Sequence, residues 1–158
     1  VGYGQTGDAY DVVAPAPDGS GAIKAMELAL ADAGMKPTDV QYVNTHGTST
    51  GLGDKAESHA VAKVFGDKHE NPGLFVTSTK SMHGHMLGAT GAVEGIVCVK
   101  TITDNKVVVI TLEANGEVEF EEVGIYRSAG FTSKLHPHHP TFFFFGSVPL
   151  YCLGCFLF

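Results

Sequence analysis

Basic residues are scarce in this 158-residue chain: ten Lys and Arg stand against 17 Asp and Glu, a formal net charge of -7 at pH 7. No stretch concentrates the positive charge, so a surface that tracks nucleic-acid phosphates lacks its electrostatic basis. Cysteine is scarce too. Three cysteines cannot form an even disulfide framework, and two of them, Cys152 and Cys155, lie near the end of the chain, which points the main body toward a reducing compartment. The chain starts at Val1 with no basic stretch followed by an apolar run, so a targeting segment is expected to be absent or to lie outside this sequence. What is abundant is apolar: 44% hydrophobic against 17% charged residues suffices for one domain with a buried core.

The chain divides by composition. Residues 1–134 mix charge, glycine and short apolar runs as an α/β domain does, and the last charged residue is Lys134. Residues 135–158 form an apolar tail with a His-Pro cluster, then the run Phe142 to Phe158 interrupted by Pro149. Within the first part, Ser20 reads as a helix N-cap, with Ile23, Met26, Leu30 and Ala33 at helical spacing and Gly34 as the left-handed stop. Val40 to Asn44 reads as a strand, and a second helix starts near Asp54 and Glu57 and ends at Gly66. Phe75 to Ser78 is the next strand. The stretch from Gly84 to Ile102 predicts a long helix whose crowded small residues imply burial on several sides. Val107 to Leu112 and Val118 to Phe120 read as strands around a turn at Asn115 and Gly116. The alternation predicts a layered α/β architecture.

Chemistry gathers at two strand-to-loop junctions, Asn44-Thr45-His46-Gly47-Thr48-Ser49-Thr50 and Ser78-Thr79-Lys80-Ser81-Met82-His83-Gly84-His85. Ligands of open α/β sheets collect at the carboxyl ends of strands, where loops converge on a rigid scaffold. Histidines and a lysine there can donate to a developing oxyanion. The plain alternative is a turn histidine with a satisfied hydrogen bond and a solvated lysine. His83 is the weakest member of the set, being free to point away from its neighbours.

Tyr42-Val-Asn-Thr-His46-Gly-Thr-Ser-Thr50-Gly-Leu-Gly-Asp54-Lys-Ala-Glu57, followed by Ser78-Thr-Lys80-Ser-Met-His-Gly84-His85-Met-Leu-Gly88-Ala-Thr-Gly91-Ala-Val-Glu94, closely resembles the β-ketoacyl-acyl-carrier-protein synthases of fatty acid synthesis. Gly2-Tyr-Gly4 and Asp8-Ala-Tyr10 extend the likeness, which is clear over residues 1–104. The resemblance implies a thiolase-like layered α/β/α fold, of which this is the C-terminal half. It implies a decarboxylating Claisen condensation, in which an acyl group on a cysteine is attacked by the carbanion that malonyl-carrier protein yields on losing carbon dioxide.

By motif, His46 and His85 match the family's paired histidines and Lys80 its active-site lysine, with Glu94 expected against Lys80. Glu57 matches a supporting acidic residue, although a helix-start cap explains it equally well. Thr48 and Thr50 match positions that bond the phosphopantetheine arm. Asn44, Glu57 and Glu94 lie where some members hold a structural cation, monovalent or divalent. No cofactor is otherwise required, since phosphopantetheine arrives on the acyl carrier protein. Malonyl and acyl thioesters are the implied substrates, a homodimer the implied assembly of the complete enzyme, and nucleic acid is not an expected partner. Localisation follows the family only as soluble, in cytoplasm, plastid or mitochondrion.

Two family features are missing. No residue occupies the position of the nucleophilic cysteine, and Cys98 on the small-residue helix reads as a buried inert thiol. The Gly-Phe-rich loop also has no good counterpart, Ala129-Gly130-Phe131 being a poor match, so the tail is expected to replace the last strands and the site to be incomplete. A translated intron or a shifted frame is the preferred reading of that tail; crossing a bilayer and a Cys152-x-x-Cys155 metal site are weaker ones. The alternatives to a condensing enzyme are therefore a non-catalytic partner of carrier protein or synthase, and a membrane-tethered fragment.

Overall fold

The computed structural model describes residues 1–66, 70–112, 118–124, 142–148 and 152–157, with side chains described through residue 107. A five-stranded sheet runs in the order β1-β7-β6-β2-β3, where β1 is Gly2–Thr6, β2 Tyr42–Asn44, β3 Phe75–Thr77, β6 Phe142–Val148 and β7 Cys152–Leu157. A separate antiparallel hairpin joins β4, Lys106–Leu112, to β5, Val118–Gly124. The central pairs β2–β3 and β2–β6 are parallel, and β7 is antiparallel to both β6 and β1.

The tail is thus part of the sheet. The expectation that it replaces the last strands is corrected: β6 and β7 fill the gap between β1 and β2. Each of these strands pairs on both of its edges, β6 with β2 and β7, and β7 with β6 and β1. No helix among the described residues is long and apolar enough to cross a membrane. Ala129-Gly130-Phe131, the Asn115–Gly116 turn and the His136 to His139 cluster lie outside the described residues.

Strand alternation divides the core. Val43 packs with Ala22, Ala25, Met26, Ala29 and Leu30 of α1 (Ser20–Ala33) and Ala60, Val61 and Phe65 of α2 (Gly51–Phe65). Its neighbour Tyr42 points to the other face, where it meets Cys98 of α4 (Thr90–Asp104) and Val107. Two helices on one face and one on the other make the α/β/α layering. Asn44, two residues beyond Tyr42, shares the α4 face, which carries polar groups to the site.

Local signals explain most boundaries. Gly34, at φ 67°, ends α1 and donates to the carbonyls of Ala31 and Leu30, as a left-handed helix stop should. Ser20 is the first helical residue, not the cap: Gly19 precedes the helix and Asp18 Oδ1 takes the Ser20 amide at 3.0 Å. The helix α2 starts at Gly51, ahead of the expected Asp54, since Thr50 is the last extended residue.

The predicted helix from Gly84 is shorter and less buried than expected. A four-residue helix α3, Lys80–His83, and a 3-10 turn, Leu87–Ala89, precede α4. Its buried stripe is Thr90, Glu94, Cys98 and Thr101, while Ile96 and Val99 are exposed. A methyl group at Gly95 would meet nothing. One side of α4 is covered and the side rich in small and apolar residues is not.

Close packing appears instead where β1 crosses α1. A Cβ at Gly4 would strike the carbonyl oxygen of Ala25 and the backbone of Ala29, atoms that a helix cannot move aside. Gly4→Ala is expected to cost about 1–3 kcal/mol, the usual penalty for overpacking, with urea unfolding as the readout. The corresponding Gly95→Ala change, in open space, should leave the midpoint unchanged or raise it.

Candidate active site

Parallel pairing of β2 with β3 brings the two junctions together. Asn44 is level with Thr77, and beyond the strands Thr45 N–H still donates to Thr77 O at 2.8 Å. The loops are then stitched by Ser78 Oγ, which donates to Gly47 O at 3.1 Å. Residues 31 to 33 apart in sequence thereby share one rim.

Glu57 holds the first loop. Its two carboxylate oxygens accept from consecutive backbone amides, His46 N–H at 2.6 Å and Gly47 N–H at 2.8 Å. Burial pushes the Glu57 carboxyl above its ordinary range, opposed by those two amide bonds and the Lys80 charge. It lies in the second turn of α2, so it is not that helix's own cap.

The rings of His46 and His85 meet edge to face, with centroids 5.3 Å apart and planes at 89°. Desolvation is the main cause that lowers the His46 pKa to about 4, with the charge of Lys80 and the His85 ring adding to it. His46 is therefore a neutral imidazole near neutral pH. His85 is exposed, and its tautomer follows from its neighbours. The Leu87 amide can only donate, and it reaches His85 Nδ1 at 3.1 Å, so Nδ1 is an acceptor and the proton of the neutral ring sits on Nε2. Thr90 Oγ1 accepts from Met86 N–H at 2.7 Å and lies 3.2 Å from the same Nδ1, so its hydroxyl proton is also placed to donate there.

Lys80 Nζ donates to Glu94 Oε1 at 2.6 Å, and both side chains are almost fully buried, at 7% and 1% exposure. The other Glu94 oxygen and Asn44 Oδ1 are buried without a partner among the described residues. Both groups act on the Cys98 thiol, whose pKa burial raises to about 12, so the reading of Cys98 as unreactive fits its surroundings. Thr48 Oγ1 and Thr50 Oγ1 lie 3.1 Å apart at the outer edge of the first loop. A hollow of roughly 380 Å³ between α2 and β3 is lined by Thr45, Gly47, Asp54, Glu57 and Val76 but by neither His46 nor His85.

Ser78, Thr79 and Thr90 also shape the site, and sequence reading did not single them out. The available signal was weak: a hydroxyl residue near a helix start commonly binds local backbone amides.

The His46 shift predicts a pH dependence. A histidine whose folded pKa lies below its unfolded value stabilises the fold fully above about pH 6.5, and this is lost as pH falls toward the folded value. Glu57, shifted upward, has the opposite sign and offsets part of the loss. Urea midpoints should fall between about pH 7 and about pH 5, and the slope should be shallower in His46→Gln. Equal slopes would remove His46 as the cause.

Residues 1–114 match the family described as Beta-ketoacyl synthase, C-terminal domain. Over 107 residues the chain is 54% identical to 3-oxoacyl-[acyl-carrier-protein] synthase 2 of Staphylococcus aureus strain COL, covering 68% of this chain and 25% of that protein. The Synechocystis enzyme of the same name is 47% identical over the same length, again covering 68% of this chain and 25% of the relative. The chain thus spans about a quarter of these curated relatives. A ketosynthase solved with its chain length factor from Xenorhabdus doucetiae superimposes with a TM-score of 0.76 at 30% identity, over 99% of this chain and 37% of that one. A β-ketoacyl synthase from Burkholderia phymatum gives 0.74 at 26% identity, over 99% and 36%. Both superpositions run through the tail, which accords with β6 and β7 being strands of the thiolase-like sheet. Matching family, sequence and fold over most of its length, the chain belongs to the β-ketoacyl synthase family and carries its C-terminal domain.

Proposed function

We propose that this chain supplies the malonyl-binding and decarboxylating side of a β-ketoacyl-acyl-carrier-protein synthase, with the nucleophilic cysteine contributed by an N-terminal portion. The observation that carries this reading is the His46–His85 pair, perpendicular rings 5.3 Å apart with His85 presenting Nε2–H. When the carbon–carboxylate bond of a malonyl thioester breaks, carbon dioxide leaves and the electron pair passes into the thioester carbonyl, making an enolate. Donors already aimed at that oxygen stabilise it without reorganising. The enolate carbon then attacks the acyl thioester on the partner cysteine, forming the new carbon–carbon bond and expelling thiolate.

The remaining residues set this geometry. Glu57 holds the His46 turn by its backbone, and Lys80 with Glu94 forms a buried charged floor whose ammonium favours the neutral His46 ring. Thr48 and Thr50 offer hydroxyls at the rim to a phosphopantetheine arm delivered by an acyl carrier protein. A structural cation fits in part: Asn44 Oδ1 and Glu94 Oε2 are oxygens without a partner among the described residues and suited to a hard ion, whereas both Glu57 oxygens already accept amides.

The test is to fuse this chain behind the N-terminal part of the Staphylococcus aureus relative and assay malonyl-carrier-protein decarboxylation and condensation. Product formation is expected; a folded fusion that binds carrier protein and releases no carbon dioxide would overturn the assignment. A second reading, a non-catalytic companion of a complete synthase, draws on the exposed face of α4 with Leu87, Ile96 and Val99. Co-elution of the chain with an intact synthase, without turnover in the fusion, would favour it.

A further inference from the structure

His83, the weakest member of the set by sequence, has its ring engaged at both nitrogens. Nδ1 lies 2.7 Å from the carbonyl oxygen of Gly84, and a carbonyl can only accept, so Nδ1 bears the proton. A neutral ring protonated there has a bare Nε2, and Nε2 lies 3.0 Å from Thr79 Oγ1. Thr79 is compatible with this assignment. Its oxygen receives the Asn44 amide at 3.4 Å, and its hydroxyl proton is then donated to the bare Nε2 of His83. The order of donation is thus Asn44 to Thr79 to His83 to the Gly84 carbonyl.

This chain of bonds ends at a glycine. Gly84 has φ 74°, a left-handed conformation open to glycine and reached with many alternatives, and it immediately precedes His85. Something has to select one setting of that peptide. The ring of His83 is bonded to its carbonyl and anchored at its far nitrogen on buried Thr79, at 4% exposure, which immediately precedes α3. Downstream, His85 Nδ1 keeps its bond from Leu87 N–H only while the Gly84–His85 turn holds its orientation.

We propose that His83 is a positioning residue that fixes the Gly84–His85 turn and thereby the tautomer His85 presents. It never reaches substrate. The relevance to catalysis rests on the proposed function of His85, but the structural coupling does not.

The test is nitrogen-15 imidazole NMR on the full chain at a pH where the histidines are neutral, which reads the protonated nitrogen of each ring. Wild type should show His83 protonated on Nδ1 and His85 on Nε2. In His83→Ala the two His85 nitrogens should move toward an average of both tautomers. In His83→Asn, whose side-chain amide nitrogen falls near the place of Nδ1 and can donate to the Gly84 carbonyl, most of the wild-type His85 pattern should return. A folded His83→Ala chain with an unchanged His85 pattern would overturn the proposal. If that variant does not fold, the wild-type spectrum still decides, because His83 protonated on Nε2 is incompatible with the bond to Gly84. Kinetics of the fusion separate the two claims. Coupling by NMR with no decarboxylation sinks the function and spares the inference, whereas full turnover in a His83→Ala fusion with an unchanged His85 spectrum does the reverse.

Discussion

Lys80→Met should lower stability by about 3–5 kcal/mol, because it strands the carboxylate of Glu94 in the interior. Glu94 is 1% exposed and, among the described residues, only one of its oxygens has a partner, Lys80 Nζ at 2.6 Å. Taking two charges out of water is costly, and their attraction repays that cost only while both are present. The loss should therefore be much larger than for the exposed pair Lys100–Asp104, 3.0 Å apart on the surface of α4, where solvent screens the charges and removing one partner should barely change stability. Thermal unfolding gives the contrast directly: at roughly 2–4 °C per kcal/mol for a chain of this size, Lys80→Met should melt ~10 °C lower. Adding Glu94→Leu should recover a good part of that fall, since a pair replaced by apolar groups leaves no orphaned charge. A double variant as unstable as Lys80→Met alone would show that packing around the lysine stem, and not the buried charge, is at stake.

His46→Ala and His85→Ala in the fused synthase should each reduce decarboxylation about a hundredfold or more, the usual effect of deleting one donor to a developing oxyanion. The two should not multiply if both rings bond the same oxygen and act as one unit. His85 allows a finer comparison. Its Nε2–H is the donor, with Nδ1 taken by Leu87 N–H, so His85→Gln, which can place an amide N–H near that point, should fall less than His85→Ala. Melting curves control for folding, because His85 is exposed and its loss should barely move them. Turnover of His46→Ala and His85→Ala within a few-fold of wild type would refute both assignments.

Much of the site was readable because its residues lie in two short continuous stretches. Strand, loop and helix follow one another within Tyr42 to Glu57 and within Ser78 to Glu94, so motif order alone placed His46, Lys80 and His85 at the strand ends. The contact between Lys80 and Glu94 was also foreseeable as a pair. What Glu57 does was not. Its spacing from Asp54 fits a helix start equally well, and the bonds it makes run backward to amides eleven and ten residues earlier, across a loop.

His83 shows the same limit from the other side. At the last residue of α3, its side chain bonds Thr79 and the Gly84 carbonyl, and nothing in the lettering fixes the rotamer that does so.

The amino-acid sequence by itself determined the family, the α/β class and the identity of the groups that carry charge and protons, since these depend on residue types in local order. It also determined that α4 would be lined with small residues. Tertiary structure alone decided which face of α4 is covered, that the apolar tail enters the centre of the sheet, and which ring nitrogen bears the proton in His83 and His85. Those outcomes depend on partners brought together from distant parts of the chain, and a donor or an acceptor is defined only by what lies opposite it.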